Sequence, residues 1–158
     1  MPAAGRERAF VADRVLTVWG GPIVRRGALI DPSDLPGWLA LDEGGMPLGY
    51  VLFESVGDEC EIVALEALRR REGVGSALVD AVIHAAESAR AAAVWLVTTN
   101  DNAGAIAFYE TRGFSLCAVR PGAVDEARRS LKPTIPLVGE SGVPIRDELE
   151  YRLALSRG

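Results

Sequence analysis

Apolar positions recur along this chain with two alternating periods. From Arg6 to Val18, Phe10, Val11, Val15, Leu16 and Val18 are spaced as on one side of a helix. Gly20, Gly21 and Pro22 stop it. Ile23 to Ile30 reads as extended, DPSDLPG as a turn, and Trp38 to Leu41 as a short strand. After the turn at Glu43-Gly44-Gly45, Leu48 to Ser55 reads as a strand, and Gly57-Asp58 joins it in a hairpin to a second strand over Cys60 to Leu68. A helix is predicted to begin near Gly73. Val74, Ala77, Leu78, Ala81, Val82, Ala85 and Ala89 share one face, Val79 and Ile83 lie at its edge, and Ser76, Asp80, His84 and Glu87 fall opposite. Ala93 to Thr98 has the composition of a buried strand, and Asn102 to Thr111 that of a short helix ended by Gly113. Phe114 to Arg120 is a strand. Ala123 to Lys132 is a helix in which Asp125 is placed to meet Arg129. Residues 133–146, with three prolines and two glycines, are loop, and Glu148 to Leu155 is a final strand. The middle of the chain therefore reads β-β-α-β-α-β, a mixed α/β (α+β) sheet covered by helices.

Composition narrows the class. The 158 residues carry 17 Lys plus Arg against 22 Asp plus Glu, a formal charge of −5, with 49% hydrophobic and 25% charged residues. That suits a single domain over 1–158 with one core, and argues against disorder, a collagen-like fibre or a basic nucleic-acid binder. No apolar run approaches the roughly 20 residues of a membrane helix, and the start MPAAGRERAFVADR lacks a signal peptide's apolar stretch. The expectation is a cytoplasmic protein with no membrane or nucleic-acid partner. Cys60 and Cys117 form no CxxC pair, and Cys60 reads as a buried structural cysteine rather than a nucleophile. With His84 the only histidine, a His-rich zinc site is disfavoured and no metal is expected.

The chemistry concentrates in EIVALEALRRREGVGSAL. A strand runs into Arg69-Arg70-Arg71, then Gly73-Val74-Gly75, then a helix. Glycines there let a ligand approach the backbone, and the helix N-terminus offers unpaired N–H groups and a positive dipole end. Together they suit an anion, most naturally phosphate, and the arginines add positive charge to an acidic chain. The residues do not fit a P-loop, because Ser76-Ala77 stand where Lys and Ser or Thr are needed. Nor do they fit a dinucleotide fingerprint, whose third glycine or alanine is replaced by Leu78.

Arg70-Arg71-Glu72-Gly73-Val74-Gly75 resembles the R/Q-x-x-G-x-G/A motif of the GNAT superfamily of N-acetyltransferases. Asn102-Ala103-Gly104-Ala105-Ile106-Ala107-Phe108-Tyr109-Glu110 with Gly113-Phe114 is similar to that family's N-x-x-A-x-x-F-Y and G-F signature. The resemblance runs from about Leu48 to Phe114. It implies a central, mostly antiparallel mixed sheet with a splayed parallel strand pair, flanked by helices. It also implies acetyl-CoA as acyl donor. The pyrophosphate would sit on Arg70, Arg71, Glu72, Gly73, Val74 and Gly75 and on the helix start at Ser76. The pantetheine arm would lie between the Cys60–Leu68 and Ala93–Thr98 strands, with backbone near Leu65 pairing with it and with the thioester carbonyl. Asn102 would fix the cofactor arm, although asparagine there also suits a helix cap.

Acetyl transfer to an amine needs a base, since a lysine-like amine titrates near ~10.4. Glu61 resembles the base glutamate of the histone-modifying branch, and Glu66 is the runner-up, with a salt bridge to an arginine as its plainer role. Tyr109 resembles the tyrosine that donates a proton to the departing CoA sulfur. The acceptor is then a primary amine of a small molecule or protein, and the alternative is a non-catalytic acyl-CoA sensor. The resemblance is weak in the N-terminal helix. It is also weak in the insertion 121–147, whose loop suits an acceptor pocket wall, a dimer contact or a rigid cover. Trp19 and Trp38 suit either the acceptor wall or core packing. Homodimers are common in families of this kind.

Overall fold

Turn chemistry and strand alternation carry through to the element order. The computed structural model describes residues 6–68 and 73–156. Helix α1 spans Arg6–Trp19, followed by strands β1 (Ile23–Arg25) and β2 (Ala28–Ile30) and a 3-10 turn at Pro32–Asp34. Then come β3 (Gly37–Leu41), β4 (Pro47–Val56), β5 (Glu59–Ala67), α2 (Val74–Ser88) and β6 (Ala93–Thr99). The chain ends with α3 (Ala103–Thr111), β7 (Ser115–Arg120), α4 (Ala123–Ser130) and β8 (Glu148–Ala154). The strand order is β3-β4-β5-β6-β8-β7 in a six-stranded sheet, with β1-β2 a separate hairpin. The β3–β4, β4–β5 and β7–β8 pairs are antiparallel. Neighbours β5 and β6 are joined through α2, the crossover connection that parallel strands require. The sheet is therefore mixed and flanked by helices, as expected.

The described residues fall into two compact units, with the chain passing from one to the other inside β6. The first comprises residues 6–21, 31–94 and 154–156. Its centre is the β3-β4-β5 meander. Gly49 of β4 permits a close approach, because a Cβ there would lie 2.6 Å from the Glu66 carbonyl oxygen and 2.8 Å from Val74 Cγ1. The start of α2 is thereby seated against the strand pair. Helix α2 buries Val74, Leu78, Val79, Val82 and Ala86. This corrects the face expected from sequence: Val79 is fully buried, whereas Ala77 is exposed. Branched side chains remove more apolar surface from water than alanines, so the helix turns to put them inward. Helix α1 buries Val11 and Val15, four residues apart, and leaves Leu16 and Val18 exposed. Cys60 is buried, and burial pushes its thiol above the ordinary value, which disfavours a nucleophilic role.

The second unit comprises residues 22–30 and 95–153. The β1-β2 hairpin turns at Arg26 and Gly27, with φ of +50° and +75°, the pair of positive values that a two-residue hairpin turn matching strand twist requires. From that turn Arg26 reaches β8. Its backbone N–H donates to Glu148 Oε1 at 2.8 Å, and its guanidinium donates to both Glu150 oxygens at 2.8 and 2.9 Å. The same guanidinium lies 3.6 Å from the Trp95 ring centroid, a cation–π geometry. Arg120 of β7 bridges the two carboxylates at 2.8 Å each. Glu148 and Glu150, two apart on β8, are 5% and 6% exposed, and the arginines neutralise them.

Helix α4 is held differently from the expectation. Asp125 pairs with Arg128 at 2.8 Å, and Arg129 pairs with Glu126 at 2.7 Å, both three residues apart. Arg128 uses Nη1 for Asp125 and keeps Nε and Nη2 for the loop. There it donates to the Ile135, Pro136 and Ile145 carbonyls at 2.7–2.9 Å. Asn100 pins the far side of that loop. Its amide donates to the Pro144 carbonyl at 2.9 Å, and its oxygen accepts from the Arg146 and Asp147 N–H groups, each at 2.9 Å. The proline-rich segment is thus tethered by Arg128 on one side and Asn100 on the other.

Candidate active site

In the first unit, β5 leads to a helix start built for an anion. Gly73 caps α2 with φ of +73° and supplies no side-chain hydrogen bond. The first intrahelical bond runs from the Ala77 N–H to the Gly73 carbonyl at 3.0 Å. The Val74, Gly75 and Ser76 amides therefore have no acceptor within the helix. Gly73 is exposed, while Gly75 and Ser76 are half-buried. A left-handed glycine followed by three N–H groups without an acceptor in the helix, at the positive end of a fifteen-residue helix, is an arrangement that suits an anion. Arg70, Arg71 and Glu72 lie outside the described residues.

Strand β5 carries the candidate carboxylates. Its register with β4 sets Leu65 opposite Val51 and Ala64 opposite Leu52, then shifts so that Ile62 stands opposite Phe53. Val63 is the extra residue of this bulge, close to Leu65, whose neighbouring backbone the family resemblance implies would pair with the pantetheine and the thioester carbonyl. The bulge also decides which face each glutamate takes. Glu61 and Glu66 are five apart, which in a regular strand puts them on opposite faces. With the extra residue, Glu61 pairs with Glu54 and Glu66 with Tyr50, so both point to one side. Gly49 faces α2 on the other side. Trp38, paired with Val51, shares the α2 side and does not face Glu61.

Glu61 is 4% exposed and engaged in a polar interaction. Glu66 has the plainer role foreseen for it: Arg14 of α1 clamps it, Nε to Oε1 at 2.8 Å and Nη2 to Oε2 at 2.7 Å. Beside them Tyr50 is wholly buried, and its hydroxyl has no hydrogen-bond partner. Burial, then the Glu66 charge, push the Tyr50 hydroxyl well above the ordinary tyrosine value, with Arg14 opposing. Sequence reasoning missed Arg14 and Tyr50. Nothing local marks a helix arginine as the partner of a glutamate 52 residues away.

In the second unit, Asn102 and Tyr109 sit at the start and near the end of α3. The Asn102 side chain accepts from the Ala105 N–H at 3.2 Å, which is the cap role. Tyr109 is 7% exposed and packs edge-on against Phe108 and Phe114, with ring centroids 5.1 and 5.5 Å away. Burial raises its hydroxyl well above the ordinary value, so it is protonated throughout the neutral range. His84 is exposed on α2, as expected. An open cleft of about 460 Å³ is lined by Asp125, Leu137, Val138, Pro144, Ile145 and Arg146 in the insertion. Among the described residues no helix is long and apolar enough to cross a membrane, and no cluster of three potential metal ligands occurs.

A mixed sheet whose crossover helix starts behind a left-handed glycine, with first-turn amides that have no acceptor in the helix, defines an α/β protein with a helix start of the kind that suits an anion. The chain belongs to the acetyltransferase (GNAT) family, whose model matches residues 13–114. It is 41% identical over 134 residues to YdhI, an uncharacterised protein of Bacillus subtilis (strain 168), covering 84% of this chain and 83% of that one. It is 32% identical over 82 residues to the ribosomal protein bS18-alanine N-acetyltransferase of Escherichia coli (strain K12), covering 51% of this chain and 55% of that enzyme. The crystal structure of a Bacillus subtilis acetyltransferase in complex with CoA shares the fold, with a TM-score of 0.65 at 19% identity, over 91% of this chain and 84% of that one.

Proposed function

We propose that this protein is a single-domain, cytoplasmic N-acetyltransferase that moves the acetyl group of acetyl-CoA to a primary amine of a small molecule or protein. The observation that carries the reading is the start of α2, where Gly73 and the amides of Val74, Gly75 and Ser76, which have no acceptor within the helix, suit the CoA pyrophosphate. Arg70, Arg71 and Glu72 complete that loop in the proposal. Backbone at Leu65, next to the β5 bulge, pairs with the pantetheine arm, and Asn102 contacts it beyond its cap bond.

The reaction runs by direct attack. The amine nitrogen bonds to the thioester carbon, and Glu61 takes the proton the nitrogen sheds. A carboxylate placed within reach of the attacking nitrogen can take that proton directly or through one water. The tetrahedral intermediate then expels CoA as a thiolate by breaking the C–S bond. Tyr109 meets the thiolate with its hydroxyl. An ordinary phenol titrates near ~10 and a thiol near ~8.5. With Tyr109 pushed higher still, its contribution is a strong hydrogen bond to the departing sulfur more than complete proton transfer. Tyr109→Phe is expected to lower kcat by about 100-fold or less, with little change in KM for acetyl-CoA. An unchanged kcat, with chemistry shown to be rate-limiting, removes Tyr109 from the mechanism.

The reading itself is tested by following release of the CoA thiol from acetyl-CoA in the presence of primary amines. Release that depends on both an amine and the intact enzyme supports it. Acetyl-CoA binding with no transfer across a broad amine panel favours the sensor role.

A further inference from the structure

We infer that Glu66 and the Tyr50 hydroxyl form a recognition site for a second cationic group on the acceptor, which would take the place of the Arg14 guanidinium on Glu66. The inference rests on the acetyltransferase reading, because it takes Glu61, on the same face of β5, as the point where the reacting amine is deprotonated.

Three observations lead to it. The β4–β5 register sets Tyr50 directly opposite Glu66, with both side chains on the face of the strand pair that also carries Glu61. Glu66 already holds a cation: the Arg14 fork occupies both of its oxygens, at side-chain exposures of 29% and 17%. Yet the Tyr50 hydroxyl, beside that pair and sealed from water, has no partner. A buried hydroxyl left unpaired is costly, and native structures rarely tolerate one without a reason.

The shape of the guanidinium accounts for the unpaired hydroxyl. Its donors lie in one plane, and a bidentate pair with a carboxylate directs them along that plane. An alkylammonium is a compact charge with three tetrahedral donors. In Arg14's place it can donate to Glu66 and to the Tyr50 oxygen together. The exchange substitutes one cation for another on a partly exposed carboxylate, so little is lost electrostatically, and the orphan hydroxyl gains a bond. Glu61 and Glu66 are separated by roughly 13–16 Å of strand, from a rise of about 3.3 Å per residue less the bulge. The acceptor class is therefore an extended amine with a second ammonium group well removed from the first, rather than a monoamine.

Calorimetric titration of spermine and of n-butylamine into the full-length wild type, Glu66→Gln and Tyr50→Phe tests this, with acetyl-CoA titrated in parallel. The inference expects spermine to bind the wild type, at least tenfold more weakly to each variant, and more tightly than n-butylamine. Acetyl-CoA binding is unchanged in both variants. Tyr50→Phe is the discriminating variant, since removing an orphan hydroxyl leaves the melting temperature equal or higher. A purely structural tyrosine would show that rise with no change in spermine binding. Equal spermine affinity in wild type and Tyr50→Phe overturns the inference, as does no spermine binding by a wild type that binds acetyl-CoA. Failure of the wild type to bind acetyl-CoA overturns instead the acetyltransferase reading.

Discussion

Glu61→Gln is expected to lower kcat/KM for acetyl transfer by about 10²–10⁴-fold near neutral pH, the range that a positioned general base supplies. The substitution keeps size and shape at a position 4% exposed while removing the negative charge and the capacity to take a proton. Its effect must shrink as pH rises. An amine that titrates near ~10.4 is almost wholly protonated at pH 7 and largely neutral by about pH 10. A base is needed only for the protonated fraction, so the wild-type to variant ratio falls toward one as pH approaches the amine's own value. Rates measured from about pH 6.5 to 10 check this. A ratio that stays flat across the series removes Glu61 from the base role. A rise in KM for acetyl-CoA or a fall in melting temperature points to a structural one.

Arg120→Ala is expected to lower folding stability by about 3 kcal/mol, the low end for removing one partner of a buried ion pair. Glu148 and Glu150 stay nearly sealed from water, and the variant leaves them with Arg26 as the partner at the hairpin turn. The low end applies because Arg120 is itself 35% exposed, so water can reach part of the gap. The effect depends on pH with a definite sign. Arg26 first and Arg120 next hold Glu150 down to about 2, below its ordinary 4.5. A depressed carboxylate contributes stability above its unfolded value and loses it as pH falls through the folded one. The advantage of wild type over Arg120→Ala is therefore full above about pH 4.5 and declines toward pH 2. Urea unfolding of both proteins between pH 7 and pH 3 measures it. A stability difference independent of pH contradicts the assigned role of the network.

The elements that sequence rendered legible are those whose information is local. Alternation between Leu48 and Leu68 and the Gly57-Asp58 turn gave the β4–β5 hairpin, and the motif spacing gave the strand, glycine turn and helix that follow. The face of α2 was misplaced because alanines and valines count alike in a periodic pattern but differ in the surface they bury. The Asp125–Arg129 pair was displaced because Arg128 answers to three loop carbonyls far along the chain. Glu61 and Glu66 share a face only through the extra residue at Val63, and an uninterrupted run of apolar and acidic residues carries no sign of a bulge. Arg14 with Glu66, and Arg26 with Glu150, are tertiary pairings 52 and 124 residues apart, beyond the reach of any local pattern.

The most direct test of the account is calorimetric titration of acetyl-CoA into the wild type and into Gly75→Glu. That substitution sets bulk and negative charge among the α2 amides proposed to hold the pyrophosphate. The wild type is expected to show one micromolar site per chain, and a variant that remains folded to lose at least 100-fold in affinity, because the new carboxylate opposes the anion. Absence of binding to the wild type, or equal binding to both proteins, contradicts it.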